Sequence, residues 1–153
     1  MIILTDIDHT IADAKWRDNL IPKAIETGDW SAYYEGCFKD GPLPIMIDVV
    51  RYLASMPYWT VIGLTGRDEK YRNVTSAWLR HHGVKLADLL MRPTGDHRPS
   101  PKLKVKMIKD TFPDLTKISA VFEDREDCVK AFKKIGLNVI QFHDARENAF
   151  KGI

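Results

Sequence analysis

Short apolar runs alternate along the chain with stretches in which hydrophobic positions have helical spacing. Most of the runs are continuous rather than alternating, which is typical of strands that are covered on both faces. The runs that predict strands are Ile2–Asp6, Trp59–Thr65, Leu89–Met91, Ile118–Glu123 and Leu137–Phe142. We therefore expect a sheet of about five strands.

Between these runs, apolar residues recur three or four positions apart, as they do on one face of a helix. The repeats are Ile45, Val49, Val50 and Leu53; Tyr71, Val74 and Trp78, with Gly83 as a stop; and Val129 and Phe132, with Gly136 as a stop. Ser100-Pro101 predicts a further helix that has Ser100 as its N-cap. Strands that alternate with helices predict an α/β fold, a Rossmann-like parallel sheet with helices on both faces.

Residues 13–44 do not follow this alternation, and we interpret them as a small cap-like insert after the first strand. The insert is rich in aromatic residues, glycine and proline. It can be a lid over a site or a helical excursion that completes the core, and the two roles are compatible, because aromatic residues usually lie in the core. With this insert, residues 1–153 are predicted to form a single domain.

Polar residues follow three of the predicted strands at the point where each strand ends. In parallel sheets of this kind, the functional site lies at the carboxyl ends of the strands, so these residues should converge. They are Asp6, Asp8 and Thr10 after the first strand; Thr65, Gly66 and Arg67 after the second; and Glu123, Asp124 and Arg125 after the fourth.

Asp6 and Asp8 are the most informative pair in this set. Two carboxylates that lie close together repel each other, so they need a cation or a shared proton. One carboxylate can attack a phosphorus atom while the other handles the proton of the leaving group. The alternative is that both residues cap the next element, as aspartate often does.

Thr65 and Gly66 have the composition of a phosphate-binding turn. A hydroxyl group together with backbone amides at a helix N-terminus can cradle a phosphate group. Arg67 can add a bidentate guanidinium contact to the same phosphate. The alternatives are an ordinary turn at the end of a strand and, for Arg67, a solvated position on the surface.

Lys104 is a cation at an apolar position of its predicted helix. At about 100° per residue, it lies opposite the solvated face of that helix. The solvated face carries Lys102, Lys106 and Lys109. A buried lysine needs an anionic partner, which carboxylates or a phosphate group at the strand ends can supply. Otherwise its side chain extends to solvent past the start of the helix.

Glu123 and Asp124 directly follow an apolar run, and they offer the hard oxygen ligands that Mg²⁺ prefers. Magnesium is usually held by one or two carboxylates together with a phosphate group of the substrate. The alternative is that both acids stabilise the start of the following helix, where negative charge is favourable.

Composition and net charge limit the possible functions of the chain only loosely. The chain has 153 residues. Its net charge of +2 neither indicates nor excludes a nucleic-acid substrate. Cys37 and Cys128 form no CxxC pair and no disulfide framework, which predicts a cytoplasmic location. No signal peptide and no apolar run of membrane-spanning length are recognised, so no membrane contact is expected. The sequence contains no zinc motif, Walker-type loop or dinucleotide fingerprint.

Taken in order, Asp6-Ile7-Asp8-His9-Thr10, Thr65-Gly66-Arg67, Lys104 and Glu123-Asp124 resemble the four motifs of the haloacid dehalogenase-like phosphatases. The resemblance implies that Asp6 is the nucleophile and forms an aspartyl-phosphate, and that Asp8 is the general acid and base. It implies that Thr65 and Lys104 bind the phosphoryl group, to which the Gly66 turn adds backbone amides. It also implies that Mg²⁺ is held by Asp6, the backbone carbonyl of Asp8, and Asp124, with Glu123 as a supporting acid.

A narrower resemblance is to the 3′-phosphatase domain of polynucleotide kinase/phosphatases. It rests on the small insert, with Tyr33-Tyr34 and Asp40-Gly41-Pro42, and on four stretches, Leu64–Arg67, Met91–Ser100, Glu123–Arg125 and Ile135–Gln141. This resemblance implies an open site that admits bulky substrates. One departure from the wider family is His9, which stands where glycine is usual; histidine tolerates left-handed backbone better than most residues.

We therefore expect a magnesium-dependent phosphomonoester hydrolase that removes 3′-phosphates from nucleic-acid ends. The residues expected to contact the substrate are Arg67, His9, Arg98 and Arg125. A free nucleoside monophosphate is the alternative substrate, with an aromatic residue of the insert stacking on the base: Trp16, Trp30, Tyr33 or Tyr34. A non-catalytic phosphate-binding protein is the further alternative, for which His9 is the reason. No protein partner is predicted.

Overall fold

The structure is a computed structural model that describes residues 1–142, so the last part of the predicted domain, residues 143–153, lies outside the described residues. Its strands are Ile2–Thr5 (β1), Ala12–Asp13 (β2), Gly41–Pro42 (β3), Thr60–Asp68 (β4), Asp88–Arg92 (β5), Ile118–Glu123 (β6) and Val139–Gln141 (β7). Its α-helices are Ile21–Thr27 (α1), Ser31–Glu35 (α2), Pro44–Ser55 (α3), Arg72–His81 (α4), Ser100–Thr111 (α5) and Glu126–Lys134 (α6).

Five parallel strands form the central sheet in the order β5-β4-β1-β6-β7. All five strands predicted from apolar runs are present, and the predicted α/β fold is confirmed. The chain leaves β1 for β4 and β5 on one side, and later fills the other side with β6 and β7. This reversal of direction beside β1 opens a crevice at the carboxyl ends of the central strands, where sheets of this type bind ligands.

Helices cover both faces of the sheet. Ile3 packs in a core with Val50 of α3 and Trp78 of α4, whereas its neighbour Leu4 packs in a second core with Phe132 of α6. Successive residues of a strand point to opposite faces. The burial of both Ile3 and Leu4 therefore explains why the first run is continuously apolar.

Helices α4 and α6 end at the predicted stop signals, but α5 begins one residue earlier than predicted. Gly83 and Gly136 follow α4 and α6 with φ angles of 70° and 84°, the left-handed conformation that ends many helices. Ser100 is the first residue of α5 rather than its N-cap, which is Pro99. The Ser100 hydroxyl instead accepts a hydrogen bond from Nη2 of Arg92, at 3.3 Å.

Strand β4 extends to Asp68, beyond the predicted end at Thr65. Helix α4 begins only at Arg72, so the expectation that Thr65 and Gly66 lie at a helix N-terminus is wrong. The reason is tertiary: the Gly66 carbonyl accepts hydrogen bonds from Nε of Arg92 at 3.0 Å and from the Tyr34 hydroxyl at 3.2 Å. These contacts keep the backbone extended past the point where the apolar run stops.

The insert contains α1, α2 and two short 3-10 helices, Lys15–Leu20 and Cys37–Lys39. Strands β2 and β3 pair antiparallel and bring its two ends together. Tyr33 and Tyr34 are buried, so the insert does contribute to the core, as one of the two interpretations expected. Among residues 1–142, no helix is long and apolar enough to cross a membrane.

Candidate active site

Lys104 lies at the carboxyl ends of β1 and β6, between two acidic side chains. Its Nζ atom is 2.7 Å from Oδ1 of Asp6 and 2.8 Å from Oε2 of Glu123. The residue is 2% exposed, because the apolar face of α5 turns it towards the sheet. The prediction of a buried cation with carboxylate partners is confirmed, and the alternative in which this side chain extends to solvent is wrong.

Asp6, Glu123 and Asp124 form a compact group that we call the acidic cluster. One oxygen from each residue lies within 4.8 Å of the others. Burial and the nearby Glu123 carboxylate raise the pKa of Asp6 to about 6. Burial and the nearby Asp6 carboxylate raise the pKa of Asp124 to about 8. Three carboxyl groups thus face one ammonium group, that of Lys104, and their mutual repulsion is relieved either by a proton, as the raised pKa values indicate, or by a bound cation.

The donor set of the acidic cluster fits magnesium. All three groups are hard oxygen donors, and magnesium is commonly held by one or two such carboxylates. Lys104 donates a hydrogen bond to one oxygen of Asp6, which leaves the second oxygen of that carboxylate to bind a cation or to act as a nucleophile. Thr10 donates a hydrogen bond from Oγ1 to Oδ1 of Asp124 at 3.3 Å and so helps to orient this acid.

The side chain of Asp8 does not join the acidic cluster but faces two arginines. Nε and Nη2 of Arg67 lie 3.0 Å and 2.7 Å from its carboxylate oxygens, and Nη2 of Arg17 lies 2.5 Å from Oδ1. Burial alone would raise the pKa of Asp8, but the Arg67 and Arg17 guanidiniums hold it well below its usual range. Asp8 is therefore held as an ionised carboxylate.

Asp40, a residue of the insert, contacts both of these arginines. Its Oδ1 accepts from Nε of Arg17 at 2.9 Å, and its Oδ2 accepts from Nη2 of Arg17 at 2.5 Å and from Nη2 of Arg67 at 3.2 Å. Both arginines are fully buried and Asp40 is 3% exposed. We call these four residues, Asp8, Arg17, Asp40 and Arg67, the Asp8 network.

Two members of the Asp8 network, Arg17 and Asp40, were not predicted as site residues. Both lie in the irregular insert, and neither follows a predicted strand of the sheet. Asp40 belongs to an Asp-Gly-Pro sequence, which is typical of a surface turn. The signal that could have found them is weak: a charged residue, Arg17, stands beside Trp16 in an aromatic segment.

The Thr65–Arg67 stretch lies on β4 beside the central strand. Thr65 is fully buried, and its Oγ1 accepts a hydrogen bond from the backbone N–H of Arg67 at 3.2 Å. Arg67 is fully buried as well, so the alternative of a solvated surface position is wrong. The Arg67 guanidinium contacts Asp8 directly, and Nη1 also donates to the Thr75 hydroxyl at 3.2 Å.

His9 has a φ angle of 62°, the left-handed conformation that glycine adopts most easily. The loop therefore keeps at His9 the backbone geometry that was expected of glycine. Nε2 of His9 lies 3.0 Å from Oδ1 of Asp18. Burial lowers the pKa of His9, but the hydrogen bond and the charge of Asp18 outweigh it and raise the pKa to about 9.

Two predicted substrate-binding residues, Arg98 and Arg125, are paired with neighbouring carboxylates. Nη2 of Arg98 lies 2.5 Å from Asp96, and Nη2 of Arg125 lies 2.6 Å from Asp127. Arg98 lines an open depression of about 710 Å³ formed by residues 94–99, which does not include the acidic cluster. Of the four predicted substrate contacts, the structure brings Arg67 and His9 next to Asp8 and leaves these two at the periphery.

Comparisons with known proteins agree with this geometry. The family described as the polynucleotide kinase PNKP phosphatase domain matches residues 1–146. A chain in the structure of the Pnkp1/Rnl/Hen1 RNA repair complex is similar over 92% of this chain and 42% of its own length, with 20% identity and a TM-score of 0.77. This chain thus spans less than half of that chain. No curated protein sequence matches the chain.

Two further solved structures share the fold. One is the class C acid phosphatase from Bacillus anthracis with tungstate bound, with 18% identity and a TM-score of 0.59 over 92% of this chain and 65% of that one. The other is a haloacid dehalogenase family enzyme from Bacteroides thetaiotaomicron in complex with magnesium and inorganic phosphate. It has 10% identity and a TM-score of 0.51, over 98% of each chain. From the match to residues 1–146, the chain belongs to the family of PNKP phosphatase domains, within the haloacid dehalogenase-like phosphatases.

Proposed function

We propose that the chain is a magnesium-dependent phosphomonoester hydrolase that removes 3′-phosphates from nucleic-acid ends through an aspartyl-phosphate on Asp6. The observation that carries this proposal is the position of Lys104, buried between Asp6 and Glu123 with Asp124 alongside. A nucleophilic carboxylate, a phosphate-binding cation and further oxygen ligands are thereby gathered at one point. Phosphoryl transfer depends on this kind of positioning and charge stabilisation.

In the first step, an oxygen of Asp6 attacks phosphorus, and the bond from phosphorus to the leaving oxygen breaks. Lys104 offsets the charge on the transferring group, and Asp8 gives a proton to the leaving oxygen. In the second step, Asp8 takes a proton from water, and that water attacks the phosphorus of the aspartyl-phosphate. Phosphate leaves and Asp6 is restored. Proton transfer of this type contributes about 10²–10⁴-fold to the rate.

The two arginines on Asp8 favour the second step, since an ionised carboxylate is ready to accept a proton from water. The first step needs Asp8 in its protonated form. A negatively charged phosphate monoester bound beside Asp8 raises the pKa of this carboxyl, because like charges favour the neutral form. Substrate binding therefore acts in the direction that the first step requires.

Magnesium would be held by Asp6, Asp124 and the backbone carbonyl of Asp8, with Glu123 in support. Bound there, the ion supplies charge stabilisation to the oxygens of the transferring phosphoryl group. The convergence of three oxygen ligands in the acidic cluster supports this assignment, as does the magnesium in the similar enzyme from Bacteroides thetaiotaomicron. We further propose that the insert acts as a small cap, since two of its residues contact the site: Arg17 donates to Asp8, and Asp40 accepts from Arg67.

The choice of a nucleic-acid end as substrate rests on the match to PNKP phosphatase domains. A nucleoside monophosphate is the second candidate substrate, because one aromatic residue of the insert, Trp16, is exposed and can contact a base. Tyr33 and Tyr34 are buried, which removes them as stacking surfaces, but Trp16 is 51% exposed. Its Nε1 donates to Oδ1 of Asp40 at 2.9 Å, so the ring is held beside the Asp8 network and can stack on a base.

A protein partner was not predicted, yet a similar chain belongs to a structure of the Pnkp1/Rnl/Hen1 RNA repair complex. Association with other proteins is therefore worth measuring on the purified chain.

Phosphate release from a substrate panel tests the proposal. The panel contains a 3′-phosphorylated DNA oligonucleotide, its RNA equivalent, the 5′-phosphorylated versions, and 3′- and 5′-mononucleotides, each with magnesium and with chelator. We expect magnesium-dependent release from oligonucleotide 3′ ends. Release mainly from mononucleotides would select the second candidate, and the Trp16→Ala variant would then raise KM for mononucleotides. Release that is equal in chelator would overturn the role of magnesium.

A further inference from the structure

Asp40 is a buried carboxylate outside the acidic cluster, on the far side of the Asp8 network. It lies on the insert, directly before β3, and it follows no strand of the central sheet. Its two carboxylate oxygens accept hydrogen bonds from both arginines that contact Asp8 and from the Trp16 indole. The two steps of the proposed reaction do not use this residue directly.

The backbone of Asp40 is anchored as firmly as its side chain. Its carbonyl oxygen accepts a hydrogen bond from Nε1 of Trp78 at 2.8 Å, and Trp78 is a fully buried residue of α4. The carboxylate is thus fixed to the core of the domain rather than to the insert alone. A group fixed in this way can hold other side chains in place.

The Asp8 network contains equal numbers of positively and negatively charged side chains. Two guanidiniums, of Arg17 and Arg67, face two carboxylates, of Asp8 and Asp40, and every member of the network except Asp8 is at most 3% exposed. Nη2 of Arg17 lies 2.5 Å from an oxygen of each carboxylate, so this one nitrogen bridges Asp8 and Asp40. Without the Asp40 charge, both guanidiniums would have Asp8 as their one carboxylate partner within the network, and their positions would change.

We propose that Asp40 is a positioning residue for Asp8: it holds the guanidiniums of Arg17 and Arg67, and these hold the Asp8 carboxylate in the orientation that proton transfer needs. The inference rests on the proposed function in that Asp8 is the proton-transfer group. It extends that function by making a residue of the insert part of the machinery. The insert then influences the rate of reaction as well as access to the site.

The isosteric variant Asp40→Asn tests the proposal, because it removes the charge and keeps the shape. Misplacement of a reacting group by about 1 Å can cost about 10²-fold in rate, and we expect a loss in kcat of that order with KM nearly unchanged. The matched control is Asp48→Asn, which removes an acid that pairs with Arg51 on the surface. Full kcat in the Asp40 variant would overturn the proposal.

A double-mutant cycle separates positioning from general loss of structure. If Asp40 acts through Asp8, the Asp40→Asn change has little further effect on kcat in an Asp8→Asn background. A merely structural role predicts the same fold-loss in both backgrounds, and that result would contradict the proposal. The cycle can use any phosphomonoester that the wild-type protein hydrolyses, so it does not depend on the substrate being a nucleic acid.

A second variant and a second readout cover the case in which Asp40→Asn fails to fold. The pair Arg17→Gln/Asp40→Asn removes one positive and one negative charge, and it should fold while losing kcat by a similar factor; full kcat would again overturn the proposal. Crystal structures of the wild-type and variant proteins give a readout without activity. An Asp8 carboxylate that stays in place in the variant would refute positioning even if no substrate were found.

Discussion

The Nζ atom of Lys104 lies 2.7 Å from Oδ1 of Asp6, although the two residues are 98 positions apart in the chain. The contact joins the start of α5 to the end of β1, and it connects a predicted nucleophile with the cation that would bind its phosphate. The same nitrogen lies 2.8 Å from Glu123 at the end of β6. One buried ammonium group therefore links three elements that meet at the crevice of the sheet.

Replacing Lys104 with methionine should destabilise the protein and stop phosphate release. Removing one member of a buried ion pair leaves the other uncompensated and costs about 3–5 kcal/mol. Lys106→Met is the matched control on the same helix, since Lys106 pairs with Asp110 in the exposed i, i+4 arrangement. Such pairs contribute about 0.2–0.5 kcal/mol. The free energy of unfolding in urea measures both effects, and equal losses would contradict the account.

Asp8→Asn should lower kcat by about 10²–10⁴-fold, because the proposed proton-transfer group is lost while the proposed nucleophile, Asp6, remains. The variant retains Asp6, so the phosphorylated enzyme can accumulate, and mass spectrometry of a peptide that contains Asp6 would detect it. Asp6→Asn should abolish turnover and give no such adduct. Unchanged turnover in either variant would contradict the assigned roles.

The predictable part of this protein is the part whose geometry follows from periodicity. Continuous apolar runs identify all five strands of the sheet. The convergence of parallel strands at their carboxyl ends then places Asp6, Glu123 and Asp124 at one edge of that sheet. The position of Lys104 follows from the angle between successive helix residues. These features depend on regular backbone, which is why a single sequence suffices to predict them.

The unpredicted part depends on tertiary contacts of irregular segments. Arg17 and Asp40 meet Asp8 through the fold of the insert, which has no regular period to extrapolate. The predicted end of β4 was wrong because contacts from Arg92 and Tyr34 to the Gly66 carbonyl extend the strand past its apolar run. Arg17 is only nine positions from Asp8, but the segment between them has no regular period, so nothing in the local sequence pattern indicates that the two side chains meet.

His9 provides a test of backbone strain. At a φ angle of 62°, a residue that has a β-carbon destabilises the folded state by about 1–2 kcal/mol relative to glycine. His9→Gly and His9→Ala both lose the contact with Asp18, so their difference isolates the backbone. We expect the glycine variant to be more stable than the alanine variant by about 1 kcal/mol in thermal or urea unfolding. The reverse order would contradict the left-handed geometry of this loop.

Magnesium should stabilise the folded protein, because a ligand that binds the native state alone raises its unfolding free energy. We expect an increase in Tm with added MgCl₂ that is largely lost in Asp124→Asn. The control is Asp127→Asn, since Asp127 pairs with Arg125 outside the acidic cluster. If the Asp124 variant responded to magnesium as the wild-type protein does, the proposal that Asp124 binds magnesium would be wrong.

The most direct test of the central claim uses one oligonucleotide that carries a phosphate at both its 3′ and its 5′ end. Mass spectrometry after incubation with the protein reports which phosphate has been removed, and the two ends serve as controls for each other. We predict loss of the 3′-phosphate alone, in the presence of magnesium, with no loss in chelator or with Asp6→Asn. Preferential removal of the 5′-phosphate, or removal that persists with Asp6→Asn, would contradict the account.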